Sequence, residues 1–409
     1  MNHLIKGLLK CINITEIEIF LNYVKGISKL AVIELVNSLS IIKQVKILKL
    51  GLAEVDFGAS EIKMLGDPLK QLVSLTCLQL KLDFVSLRDE PHCYIQFQEH
   101  FYTQLTQLHL NLSFCQIGDQ GVIDLSSKLV QFINLESLHL DFIRNLIRSK
   151  GLSQLSETLK QLSLLKNLKL CLNFNQICDQ GLNSLSQNIQ SLHFLIEVQL
   201  YLEGKTLTSE SYLNLLSSLK KCKKLQIIEL NISSSQLAKI QQLGDHFAQF
   251  TTIQQLSLYL YQSQINDEIL SDLSKGLIKC TQMQKLLLYL SENAITSLGI
   301  HELANALQNL HHLYDLALFL GQNQINEDGV KSLGYGLMQC KKLRFLEIWL
   351  ENNQINYEGI TSFLNSLLLC KDLITLNLFK IQNQFSLSAE YQRKFFKSKK
   401  LVEFSIYFE

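Results

Sequence analysis

His109 and His139 stand thirty residues apart in two segments of one pattern, QLHLN and SLHLD, and the next copy of that pattern reads NLKLC. Read as neighbouring strands about 4.8 Å apart, these segments put His109, His139 and Lys169 in one outward column. Asn111, Asp141 and Cys171 fall in the next. Imidazole, carboxylate and thiol in such proximity suit a transition metal or an assisted nucleophile. Lys169 beside the histidines opposes a second cation, and variation among repeats is enough to make a polar patch on a solvated sheet. The plainer reading is a patch or partner contact, so no catalytic residue, metal or cofactor is expected.

The remaining candidates for chemistry are weaker. Cys11, Cys222, Cys280, Cys340 and Cys370 share a slot that holds Leu72, Leu162, Leu192 and Leu310 elsewhere. A slot open to Leu and Cys alike is a core slot, where thiol acts as a small hydrophobe. The short paired spacing of a zinc site is missing from that column. No GxxxxGK[ST] follows an apolar run, and Gly334-Tyr335-Gly336 falls inside a predicted helix.

The elements that position these residues come from a repeat. Aliphatic residues recur as L-x-x-L-x-L-x-L, clearest at Leu313, Leu316, Leu318, Leu320 and at Leu343, Leu346, Ile348, Leu350. Starts run from Ile14 and Val45 through Leu373 and Leu401, separated by 28 to 31 residues and mostly by 30. Period-two alternation predicts a strand. An x-x-N-x-I segment follows, with Asn145, Asn175, Asn293, Asn323, Asn353 and Asn383 in the Asn column and Cys115, Ser235 and Ser263 replacing it. Such an amide satisfies backbone groups in the turn and stacks as a ladder. The rest of each unit has helical spacing, as at Val330, Leu333 and Leu337. Gly121, Gly151, Gly181, Gly299, Gly329 and Gly359 share one early helical position, where close helix-to-strand approach is expected.

These segments, with Glu327-Asp328-Gly329 and Gly118-Asp119-Gln120-Gly121 after the x-N-x-I, resemble ribonuclease-inhibitor-type leucine-rich repeats of the long variety common in protists. The resemblance spans essentially the whole chain. It implies an α/β solenoid, a horseshoe of about 14 repeats, with a curved parallel sheet on the concave face and helices on the convex face. In that family the Asn comes two residues sooner, so the additional x-L pair is expected to lengthen each strand. A single domain over 1–409 is expected, with an N-terminal repeat at 1–44, an irregular repeat at 83–104 and a terminal edge strand at 401–409. The units at Leu225 and Leu373 are two residues short, which predicts a local change of curvature. The fold says little of function, since the superfamily holds inhibitors, scaffolds, sensors and GTPase activators.

One outward column carries the functional expectation. Its first half is mostly polar or small, and it then reads Tyr201, Asn231, Tyr259, Tyr289, Phe319, Trp349, Phe379 and Tyr407. Cross-strand stacking alone explains part of this, but contiguous exposed aromatics mark interaction surfaces and Tyr and Trp lead among anchors. Twelve acidic residues occupy outward positions, among them Glu229, Asp315, Glu347 and Glu351, against four lysines, Lys49, Lys81, Lys169 and Lys285. Twelve minus four leaves eight negative charges on the concave side of a chain whose net charge is +1. An acidic, aromatic concavity steers in a basic protein segment and repels phosphate backbones.

The expected function is therefore a non-catalytic scaffold that binds a basic protein partner within a larger complex. No small-molecule substrate, nucleic acid on that face or membrane is expected. Two alternatives stand: a structural subunit held by loops and edges, or an activator like those of the Ran GTPase, with Arg88, Arg144 or Arg148 as the arginine that stabilises phosphate charge. No run of 18 apolar residues and no secretion signal is visible, which leads to the expectation of a cytoplasmic protein, with cytoskeletal or ciliary association.

Overall fold

A computed structural model describes residues 6–7, 13–22, 24, 29–53, 59–69, 71–85, 103–204, 206–235, 237, 240–381, 394–395 and 400–408. The chain divides into two compact units, residues 1–202 with 221–223, and residues 203–220 with 224–409. The irregular repeat expected at 83–104 falls largely on residues 86–102, outside those described.

The first unit runs β1 (Glu16–Phe20), α1 (Lys29–Leu39), β2 (Ile47–Gly51), α2 (Ala59–Leu69), β3 (Cys77–Lys81), β4 (Gln107–Asn111), α3 (Gly118–Leu129), β5 (Ser137–Asp141), α4 (Ser149–Leu159), β6 (Asn167–Cys171), α5 (Asp179–Ile189) and β7 (Glu197–Tyr201). Each strand pairs parallel with the next in the chain. The second unit runs α6 (Ser209–Leu219), β8 (Ile227–Asn231), α7 (Leu243–Phe247), β9 (Gln255–Tyr259), α8 (Asp267–Leu277), β10 (Lys285–Tyr289), α9 (Ser297–Leu307), β11 (Asp315–Phe319), α10 (Glu327–Gln339), β12 (Phe345–Trp349), α11 (Tyr357–Leu367), β13 (Thr375–Ile381) and β14 (Glu403–Phe408). Its strands are likewise parallel in chain order.

Alternation decides which way each strand faces. In β10, Leu286 and Leu288 are buried, while Lys285, Leu287 and Tyr289 are half-buried on the other face. The buried side receives helix residues such as Ile269, Leu270, Leu273 and Leu277 of α8. Each such side chain contributes roughly 1.5–3 kcal/mol on full burial. Helix starts are fixed locally: the Asn326 side chain accepts from the Asp328 and Gly329 N–H groups, and Asn356 accepts from Gly359.

The asparagine ladder forms as expected. Asn323 Nδ2 donates to the carbonyls of Leu290, Leu320 and Gly321, and its Oδ1 accepts from Ile295 N. Asn145, Asn175, Asn293 and Asn353 make equivalent bonds, whereas Asn383 lies outside the described residues. Where the amide is replaced, the donor persists: Cys115 Sγ points to Leu82 O, and Ser263 Oγ donates to Ile232 O.

One expectation is corrected, and the extent of the strands is now defined. In all but the last two, the strands run five residues and end one residue before the last aliphatic position of the repeat. Phe142, just past β5, adds one further ladder bond to Cys171 O at 2.8 Å, after which the chain turns through left-handed Arg144 and Leu146. The early helical glycines Gly151, Gly181, Gly299, Gly329 and Gly359 answer to the preceding helix rather than to a strand. A Cβ on Gly181 of α5 would lie 2.9 Å from Ser149 Cα at the start of α4.

The short repeat after Leu225 loses helix. Its α7 keeps five residues and packs backbone to backbone on α8, where a Cβ on Gly276 would fall 2.2 Å from Gly244 O. A cavity of about 10 Å³ remains beneath it, lined by residues including Tyr212, Leu243 and Phe247.

Candidate functional site

The aromatic column of the second unit forms one stacked row, because β9 to β12 pair in register: Tyr259 with Tyr289, Tyr289 with Phe319, Phe319 with Trp349. Ring centroids are 6.2, 4.7 and 5.5 Å apart in that order. All four side chains are half-buried on the open side of the sheet, opposite the helices. Tyr201 belongs to the first unit, where the Lys169 ammonium stands over its ring at 5.0 Å. Phe379 and Tyr407 lie on β13 and β14, and their side chains are outside the described part.

Carboxylates border the row. Trp349 Nε1–H donates to Glu347 Oε1 at 2.8 Å. The Glu351 carboxylate lies over Gly321, in the space a Cβ there would occupy. Burial pushes the Tyr259 hydroxyl up to about 12, with the Glu229 carboxylate adding to the effect. Burial also raises Tyr289, helped by Glu351 and Glu292. These tyrosines are neutral donors at physiological pH. Asp315 differs from the other acids, since Lys285 sits 3.6 Å from it.

Two members of the surface were not singled out in the sequence. Tyr261 packs edge-on against Tyr289 at 5.9 Å and donates its hydroxyl to Glu292 Oε1 at 2.5 Å. Glu292 also accepts from Gln262 and sits at φ 56, a left-handed position in the turn after β10. The bond to Tyr261 lifts that hydroxyl to about 12 and holds the Glu292 carboxyl below its ordinary value. Tyr261 does fall in an outward column and was legible there. Glu292 was not, because its orientation follows from the left-handed turn.

Residues 108–126 match the family described as Leucine Rich repeat. That stretch is one strand–helix unit, and its repetition along parallel strands gives each of the two compact units a leucine-rich-repeat fold. Among solved structures, a leucine-rich-repeat protein of Leptospira interrogans is similar, with 18% sequence identity, 98% of each chain covered and a TM-score of 0.46. No curated protein matches the sequence.

In the leucine-rich-repeat core, the cysteine column behaves as structural thiol. Cys222, Cys280 and Cys340 are buried, and each directs its sulfur to a carbonyl of the preceding repeat, Ile189, Phe247 and Leu307. Burial pushes these thiols up to about 11, 12 and 12. Cys11 lies outside the described residues. Cys178 is different: it is exposed, lies 2.8 Å from Ser149 Oγ just before α5, and is held below the usual thiol range chiefly by that bond.

The histidine cluster of the first unit also assembles. His109 and His139 stack at 3.7 Å. Burial, with Lys81 and Lys169 nearby, depresses His109 to about 4, and burial with His109 and Lys169 depresses His139 to about 3. Both rings are therefore uncharged at neutral pH. Asn111 instead donates to Asp83 Oδ1 at 3.2 Å. An open depression of about 210 Å³ adjoins His139, lined also by Ser137, Asn167, Lys169, Glu197 and Gln199.

A further edge of the leucine-rich repeats was not read from the sequence. Phe84 and Phe114 stack at 4.5 Å, and the Arg144 guanidinium lies over the Phe114 and Phe174 rings at 5.6 and 5.0 Å. All four residues have positive φ and share one turn position. Arg148 donates to Gln176 Oε1 at 3.0 Å, and Arg88 is outside the described residues. Among the described residues no helix is long and apolar enough to cross a membrane.

Proposed function

We propose that this chain is a non-catalytic binding protein whose stripe Tyr259–Tyr289–Phe319–Trp349 docks a basic segment of a protein partner. One observation carries the reading: the rings form a contiguous half-buried row on the open sheet face. The same column of the first unit is aromatic only at its ends, Phe20 and Tyr201, and folds into the same strands with Gly51, Lys81, Asn111, Asp141 and Cys171 between them. The repeat backbone therefore has no need of aromatics there.

Charge supports the choice of partner. Glu229, Glu292, Glu347 and Glu351 border the rings, and the one lysine on these strands, Lys285, is engaged by Asp315. Lysine and arginine side chains gain from both the ring faces and the carboxylates, while phosphate backbones are repelled. On this reading the repeats are of the ribonuclease-inhibitor type, and the protein acts as a subunit of a cytoplasmic, cytoskeletal or ciliary complex. The GTPase-activating alternative gains no support from Arg144, whose guanidinium rests on two phenylalanine rings.

Affinity capture from native extract, repeated with Trp349→Ala combined with Phe319→Ala, tests the proposal. Partner recovery is expected to fall by on the order of tenfold or more, since central aromatic anchors carry at least about 2 kcal/mol each. Unchanged recovery with a normally folded double variant would show that the partner docks elsewhere.

A further inference from the structure

We propose that His139, Asp141 and Cys171 form a site for one divalent transition-metal ion of the zinc class. Their donor atoms all lie within 4.8 Å of one another. Two adjacent strands supply them: His139 and Asp141 are two residues apart on β5, hence on one face, and Asp141 is the register partner of Cys171 on β6. His139 Nε2 and Cys171 Sγ are 3.9 Å apart. Around a tetrahedral zinc, with bonds of about 2.0 Å to nitrogen and 2.3 Å to sulfur, that separation is about 3.5 Å. A few tenths of an ångström, within reach of small side-chain rotations, closes the difference.

The surroundings hold these ligands in place. Asp141 Oδ1 accepts from Ser113 Oγ at 2.5 Å and from Ile143 N at 3.4 Å, which fixes the carboxylate. Stacking on His109 sets the plane of the His139 ring. Such supporting contacts are what orient metal ligands in known sites. The nearby lysines are both drawn onto aromatic rings, Lys169 over Tyr201 and Lys81 over Phe20. Cys171 is only 5% exposed, which suits a buried metal ligand better than a nucleophile awaiting substrate.

The donor set also selects the ion. Thiolate, imidazole and carboxylate together favour zinc and its neighbours over magnesium or calcium, which take oxygen ligands. Binding replaces the Cys171 thiol proton, which passes to bulk water, and no electron changes hands. On this proposal the residues read from the sequence as a polar patch act as a three-ligand clasp between β5 and β6. The site lies wholly in the first unit, so its test is independent of partner docking on the second.

The test uses the full untagged chain, stripped with chelator and titrated with Co²⁺ or Zn²⁺ alone. One equivalent of Co²⁺ is expected to bind with an intense thiolate-to-cobalt charge-transfer band. Cys171→Ser removes that band, His139→Gln weakens binding on the order of tenfold or more, and Cys178→Ser leaves both unchanged. A band that survives Cys171→Ser, binding without any sulfur band, or no metal retained after dialysis overturns the proposal. X-ray absorption on the zinc-loaded wild-type protein decides the matter without variants. Sulfur in the first shell supports the site, and a shell of nitrogen and oxygen alone refutes it.

Discussion

Asn323 satisfies backbone groups of two consecutive repeats with a single side chain, donating to Leu290, Leu320 and Gly321 and accepting from Ile295. Asn323→Ala leaves these buried groups without partners, at roughly 1–3 kcal/mol for each orphaned group. A clear drop in the urea midpoint is expected, larger than for exposed Asn352→Ala beside the same ladder. Cys178 gives a second prediction at this scale. Its thiol is exposed and held below the usual range, whereas Cys222, Cys280 and Cys340 are buried and raised. Alkylation of the native protein followed by peptide mass spectrometry should modify Cys178 well ahead of those three. Because the thiolate is the reactive form, its rate should rise with pH and level off below the pH at which a free cysteine does. Both the Asn column and the cysteine core slot were legible in the sequence, because burial and one fixed hydrogen-bonding task restrict the residue types that fit. Cys178 was not, since its character depends on Ser149 of the preceding repeat, 29 residues away.

Between elements, the short repeat is the sensitive point. In an exposed helix Gly→Ala gains about 1 kcal/mol from propensity. Gly276→Ala should do the reverse, because its Cβ would fall 2.2 Å from Gly244 O and 2.7 Å from Gly244 Cα. Overpacking of this kind costs about 1–3 kcal/mol or more, and a lowered thermal midpoint with disturbed α7–α8 packing is the expected result. The alternation of Leu286 and Leu288 with Tyr289 made the strands readable, and the Val330–Leu333–Leu337 spacing made the helices readable. Where each strand stops was not legible, because the chain leaves β5 for the left-handed turn at Arg144, and dihedral angles leave little trace in residue type. The glycine slot shared by the repeats was recognised for its closeness but assigned the wrong neighbour, since helix-to-helix approach depends on how successive repeats stack.

For the molecule as a whole, partner capture should weaken as salt rises, because much of the attraction from Glu229, Glu292, Glu347 and Glu351 acts across water at ranges near the Debye length of about 8 Å at physiological ionic strength. Glu347→Gln with Glu351→Gln should flatten that dependence while retaining the apolar contribution of the rings, as read by binding measured across a salt series. If the double variant kept the full salt response, the acidic border would have no part in recognition. The sequence made the aromatic column visible as a set of equivalent positions. It did not reveal Glu292, or the sandwich of Arg144 between Phe114 and Phe174, since these turn residues meet only when successive turns are stacked.

The amide ladder has a consequence for how such a chain can change its size. Asn293, Asn323 and Asn353 each reach back to the carbonyl 33 residues earlier and accept from the N–H 28 residues earlier. Excising residues 291–320 would join Leu290 to Gly321 and present Asn323 with chemically equivalent neighbours. Removing one residue fewer would leave an amide facing the wrong group. Growth or trimming of the array is thereby quantised: genetic slippage by a whole beat can pass unnoticed by the fold, while slippage by a single codon cannot.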